Sequence, residues 1–148
     1  MKVLRDYSGE FVPEVQFSNF SRDTLTELLT LYCRLYSRLD NFWYISLKGR
    51  LSDKDVLTCL MDTWEKNCHY EMSNITKLLN IRGNDVATFM KALQMTPWFR
   101  NNQIKIEIRN KNDAILTVFR CTALEAFEKE AKGGEKTVCQ IAEPKALK

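Results

Sequence analysis

At Pro97 the apolar periodicity of this chain switches from about 3.6 residues to about 2. That switch defines an α+β chain, with a helical N-terminal two-thirds packed on a small antiparallel β-sheet. Ahead of Pro97 the apolar positions recur at helical spacing. Leu25, Leu28, Leu29, Tyr32, Leu35, Leu39, Phe42, Trp43 and Leu47 form one such series, about seven turns long. Ser21 stands as its N-cap, with Phe20 and Leu25 placed to staple across it, and Gly49 is expected to close it as a left-handed C-cap. Beyond Pro97, Ile104, Ile106 and Ile108 alternate with Lys105, Glu107 and Arg109, which reads as a half-buried strand.

The remaining elements follow from the same devices. Ser52 and Asp55 have near capping-box spacing and open a second helix. Its expected apolar face is Val56, Leu57, Leu60, Met61, Trp64, Cys68, Met72, Ile75, Leu78 and Leu79. It stops near Asn80 to Gly83. Asn84 is read as the cap of a shorter helix with Val86, Phe89, Met90 and Leu93 inward, terminated by Pro97. Asn110 to Asp113 is a turn, and Ile115 to Cys121 returns as the second strand. Thr122, with Glu125 three residues on, is read as the cap of a fourth helix with Leu124 and Phe127 inward, ended by Gly133-Gly134. The organisation expected is one domain over residues 1–148: an irregular segment 1–20, helices over 21–96, a hairpin over 103–121, and a helix and tail over 122–148.

Composition narrows the class. A chain of 148 residues buries about 70% of its unfolded surface, enough for a core. Hydrophobic residues at 45% and charged residues at 28% are a globular balance. No apolar run approaches the roughly 18 residues of a membrane span, and Lys2, Arg5 and Asp6 leave no apolar stretch for a signal peptide. Five cysteines, an odd number, point to reduced thiols and a cytoplasmic location.

Four short runs carry a family resemblance: Leu39-Asp40-Asn41-Phe42-Trp43-Tyr44, Thr63-Trp64-Glu65-Lys66, Lys91 to Trp98, and Cys121-Thr122-Ala123-Leu124-Glu125. The first resembles the L-D-G-F-W signature of an uncharacterised prokaryotic family of cytosolic proteins. That family lies near the L-2-amino-thiazoline-4-carboxylic acid hydrolases and is distantly similar to ligand domains of the 4-vinyl-reductase type. The resemblance runs from about Phe20 to Pro144. It implies a small-molecule-binding domain. The family continues past the position of Cys139 with a helix and strands ending in a C-x-W-E-F-like segment. This sequence ends at Lys148, so the contribution of those strands is not carried over.

Candidate chemistry is sparse. The cysteines fall at spacings of 26, 9, 53 and 18 residues, without the close pairs of a structural zinc site. Cys33, Cys59 and Cys68 lie on apolar helix faces and read as core filler. Cys121 stands at a strand end ahead of a helix N-terminus, a position that favours a thiolate. Cys139 follows the Gly-Gly loop and could approach it. His69 is the only histidine, with Glu65 one turn before it. A Cys–His nucleophile, as in a thiol-dependent amide or ring hydrolase, requires His69 to meet Cys121 across the fold. The competing reading is an exposed histidine beside a local carboxylate. No metal set and no cofactor motif is visible.

Asp40 beside Phe42 and Trp43, with Trp64 facing from the second helix, reads as aromatic walls around one carboxylate, a small-ligand pocket. The competing reading is a surface aspartate with both tryptophans in the core. Residues 77–120 carry eight cations against three acids, a net +5 in a chain whose total is +3. Their order is that of a winged helix, with 84–95 as recognition helix and Asn110 to Asp113 as wing tip. Nucleic acid is therefore an alternative partner, although the helix offers only Lys91 as a cation beside an unfavourable Asp85.

The expected function is a cytosolic small-molecule-binding domain, with ligand contacts from Asp40, Trp43, Trp64, Cys121 and Cys139. Winged-helix-like DNA binding and a hydrolase using Cys121, His69 and Glu65 are the alternatives. A two-stranded hairpin is marginal alone, so a third strand from Val138–Ala142, residues 1–17 along an edge, or a partner copy is expected to complete the sheet. The partner copy, in a two-fold homodimer, is the favoured remedy.

Overall fold

A computed structural model describes residues 3–130 and 133–142. The element order is a 3-10 turn Phe17–Asn19, α1 Arg22–Lys48, α2 Asp53–Leu78, α3 Val86–Leu93, α4 Pro97–Asn101, β1 Gln103–Asn110, β2 Asp113–Arg120, α5 Thr122–Glu130, α6 Gly134–Thr137 and a π-helical turn Val138–Ala142. The α+β class holds. The helical N-terminal part packs against a two-stranded antiparallel sheet. No described helix is long and apolar enough to cross a membrane.

Side chains start each early helix. Ser21 Oγ accepts the Thr24 N–H, and Ser52 Oγ accepts the Asp55 N–H while donating to Asp55 Oδ2 at 2.6 Å. Several boundary expectations are corrected. Gly49 is right-handed (φ −74°, ψ −8°), because the chain keeps turning through Arg50 and Leu51, whose N–H groups both reach Leu47 O. The left-handed helix end belongs instead to Asn80 (φ 51°), where Ile81 N–H bonds back to Thr76 O. Asp85, not Asn84, caps α3 by accepting the Thr88 N–H at 2.8 Å. Pro97 opens a helix: it occupies the first turn of α4, where its missing N–H costs nothing, and Thr96 supplies the cap. Thr122 is the first residue of α5, and the chain turns there because Asn102 Oδ1 accepts its N–H at 2.8 Å.

The hairpin register pairs Ile106 with Leu116 and closes on Asn110 opposite Asp113. The Val86 N–H reaches Lys111 O, so the start of α3 is tied to the hairpin turn. Ile104 and Ile106 are half-buried, but Ile108 is exposed. Among the described residues no third strand joins the sheet. Val138–Ala142 is helical, and the N-terminal segment makes its one bridge between Leu4 and Phe20.

The core is small and lies at one end of the α1–α2 pair. Tyr44, Val56, Leu60, Phe127 and Val138 are buried together, flanked by Leu47, Trp64, Ala123 and Cys139. Tyr44 and Phe127 meet edge to face, ring centroids 5.2 Å apart. The expected inward face of α1 is therefore wrong along most of its length. Leu29, Tyr32, Leu35, Leu39, Phe42 and Trp43 are exposed, while Cys33 and Tyr44 are buried. Cys68, Leu78, Leu79, Phe89 and Leu124 are likewise exposed rather than core. In each case the residue stands on an apolar arc wider than the surface its neighbours cover.

Candidate functional site

α1 and α2 run antiparallel, and polar residues line the seam between them. Cys33, Tyr36 and Asp40 descend α1 at helical spacing, and Trp64, Asn67 and Glu71 climb α2 at the same spacing. The side chains meet as rungs. The Trp64 indole faces the Asp40 carboxylate closely enough to favour its charged form. Asn67 Nδ2 donates to the Tyr36 hydroxyl oxygen at 2.6 Å. Glu71 lies near enough for its charge to act on Tyr36 and Cys33, and Arg100 of α4 adds a positive charge at Cys33.

Burial sets the electrostatics of this row. Desolvation pushes the Asp40 carboxyl above its ordinary value, and the Trp64 indole offsets only part of that. Desolvation also raises Glu71. The Tyr36 hydroxyl is raised first by desolvation and then by the Glu71 charge. The Cys33 thiol is raised by burial, with Arg100 acting in the opposite direction. Asp40 and Glu71 stand about two helical turns apart along the seam, roughly 10 Å, so they do not share a proton. Each is a desolvated acceptor that a donor or a cation would relieve.

The sequence-derived residues divide into two groups. Asp40 and Trp64 are brought into contact, as expected. Trp43, about one turn from Asp40 on the same helix, is 62% exposed rather than in the core. Cys139 and Trp64 both border the buried cluster. Cys121 is half-buried at the end of β2, its carbonyl accepting the Glu125 N–H. His69 and Glu65 are both exposed, and no hydrogen bond or ion pair joins them to each other or to Cys121 among the described residues. No group of three His, Cys, Asp or Glu among the described residues could hold a metal ion. On the basic segment, Lys91 is exposed. Thr88 is half-buried, and its hydroxyl donates to Asp85 Oδ1 at 2.6 Å.

Tyr36, Asn67 and Glu71 were not anticipated. Their signal was present as polar residues in step with Asp40 and Trp64, but nothing in one sequence says which arcs of two helices face each other. Two shallow surface grooves lie elsewhere. One of about 210 Å³ runs along Thr26, Glu27, Thr30, Leu31 and Arg34, and one of about 390 Å³ along Thr76 to Arg82. Compared with known proteins, the chain matches no family model, no curated protein and no solved structure.

Proposed function

We propose that this chain is a cytosolic small-molecule-binding domain whose site is the polar row in the α1–α2 seam, and that its ligand carries an amino or other cationic group on an apolar body. The observation that supports this is Asp40, a desolvated carboxylate with one indole partner, about one turn from the exposed Trp43 on the same helix. A carboxylate held in that state gains more from a cation than a solvated one does, and an aromatic face adds attraction for the same charge. The ring of Trp43 also offers apolar area to the body of such a ligand.

Phenethylamine is a suitable probe, read by tryptophan fluorescence. A saturable change with phenethylamine, absent with phenylacetate, is expected. It is lost in Asp40→Asn and retained in Asp113→Asn, whose carboxylate lies on the hairpin. Equal responses to the amine and the acid, or an unchanged response in Asp40→Asn, would remove the proposal.

A further inference from the structure

The groove of about 390 Å³ at the C-terminal end of α2 is lined by Thr76, Lys77, Asn80, Ile81 and Arg82. It shares no residue with the Asp40 row. Its backbone is set by the way the helix ends. Asn80 takes the left-handed conformation (φ 51°). The Ile81 N–H then bonds back to Thr76 O at 2.9 Å, and the Asn80 N–H to Lys77 O at 3.4 Å. These are the two bonds of a Schellman turn, and they hold the chain from Thr76 to Ile81 in one shape.

The turn also orients a cation. Asn80 Oδ1 accepts the Arg82 Nε–H at 2.8 Å. That bond uses one of the guanidinium N–H groups and leaves both terminal nitrogens with theirs. Among the described residues neither Arg82 nor Lys77 is paired with a carboxylate, whereas Arg120 and Lys66 are held by Glu125 and Asp62. The acids nearest in sequence are engaged elsewhere. Asp85 caps α3, its Oδ1 accepting both the N–H and the hydroxyl of Thr88. Glu71 acts on Cys33 and Tyr36 in the seam with α1. The carboxyl end of a helix ordinarily disfavours an anion. Here the carbonyls of Ile75, Thr76 and Lys77 are taken up by the N–H groups of Leu79, Ile81 and Asn80, which offsets that. What the groove still offers is two unpaired cations, the Asn80 amide N–H group, and half-buried Ile81 as an apolar wall.

We propose that this groove binds a phosphate monoester, with the Arg82 guanidinium and the Lys77 ammonium on the phosphate oxygens and Asn80 as the residue that positions Arg82. A phosphate monoester carries close to two negative charges at neutral pH, which two cations match. A guanidinium with both terminal nitrogens free forms paired hydrogen bonds to two of its oxygens. Holding Arg82 through Asn80 lowers the ordering cost of that contact. The groove has the volume of a small-molecule site rather than of a phosphate alone, and Ile81 offers apolar area to the body of the ester.

Amide NMR spectra of the full chain, titrated with phenyl phosphate, test this. Saturable shifts should be confined to residues 76–82 and their contacts, and phenol should give none. Arg82→Gln should weaken binding by about tenfold or more. Lys54→Gln, exposed at the opposite end of α2, should leave it unchanged. Asn80→Gly keeps a residue suited to the left-handed turn but removes the amide that holds Arg82. It should weaken binding by about three- to tenfold with thermal unfolding unchanged. Binding should also weaken as pH falls through about 6, where the monoester takes up a proton. Diphenyl phosphate, with a single charge, should bind more weakly than phenyl phosphate. Shifts scattered over the lysines and arginines of the whole surface, or native affinity in Arg82→Gln or in Asn80→Gly, would overturn the proposal. So would equal affinity for the diester, which would mean that one negative charge suffices, as in a nucleic-acid backbone.

Discussion

Trp43 and Tyr44 are consecutive residues of one helix, 62% and 2% exposed. Around Tyr44, α1 meets α2, α5 and the C-terminal turn, and its ring is held against Phe127. Trp43 is exposed, as are Leu39, Leu35, Tyr32 and Leu29 further back along the helix. The exposed arc is the more apolar of the two, since the inward one carries Asp40 and Tyr36 beside Cys33 and Tyr44. Burial here follows from which arc the other elements reach, and the core arc is the narrower of the two. The inward arc stabilises the monomer through Tyr44, while the outward one stays in solvent from Tyr32 to Trp43.

The largest effect that would break this contrast is expected at Phe127. Phe127→Ala removes a ring that is 4% exposed and should cost about 3–5 kcal/mol. Leu39→Ala, on the outward arc, should change stability by about 0.5 kcal/mol or less under conditions where the chain is monomeric. Urea unfolding of both variants checks the pair. Comparable losses would mean that the outward arc is packed within one chain.

Gly134 sharpens the same picture at smaller scale. It is buried, and a Cβ there would lie 2.8 Å from Phe127 Cδ1 and 3.2 Å from Tyr44 Cε1. The glycine lets the backbone of α6 lie against two rings. Gly134→Ala should therefore destabilise by about 1–3 kcal/mol, although alanine is the better helix former. A neutral or stabilising outcome in thermal unfolding would show that this end of the core is loosely packed.

The smallest expected effect is at Asp40 and depends on pH. An acid whose pKa is higher in the folded state holds its proton more tightly there. Stability therefore falls as pH rises from the ordinary carboxyl value of 3.8 through the raised one. Above that window the charged form is disfavoured by burial. Asp40→Asn keeps an acceptor facing Trp64 and carries no charge. It should be more stable than the native chain at neutral pH and indistinguishable from it below 3.8. Urea midpoints at the two pH values check this. A less stable variant at neutral pH would mean that the attraction of the Trp64 indole for the charged carboxylate outweighs desolvation.

Local chemistry made much of the fold legible. Ser21 and Ser52 are caps in the sequence and caps in the structure, because an N-cap needs only its own side chain and the next three N–H groups. The alternation at Ile104 and Ile106 predicted a strand that is present. Boundaries failed where a neighbour in space decided them. Asn102 sets the start of α5 from across the chain; Pro97 is a separate case, a local cap at Thr96 that makes the proline the first turn of a helix. Of the candidate site, the Asp40–Trp64 contact was legible as two chemistries at helical positions. Tyr36, Asn67 and Glu71 were not, since their pairing depends on the rotation of α1 against α2.

The sequence alone determined where helices and strands lie, because spacing, caps and turns act over a few residues. It also determined that α1 is apolar around more than half of its circumference. Only the tertiary structure decided which arc of α1 is core and which is surface, and hence that Tyr44 is buried and Trp43 is not. A periodic pattern specifies angles around one helix axis. The direction from which a second helix approaches is the summed result of contacts far apart in the chain, here Tyr44 with Phe127 and Asp40 with Trp64.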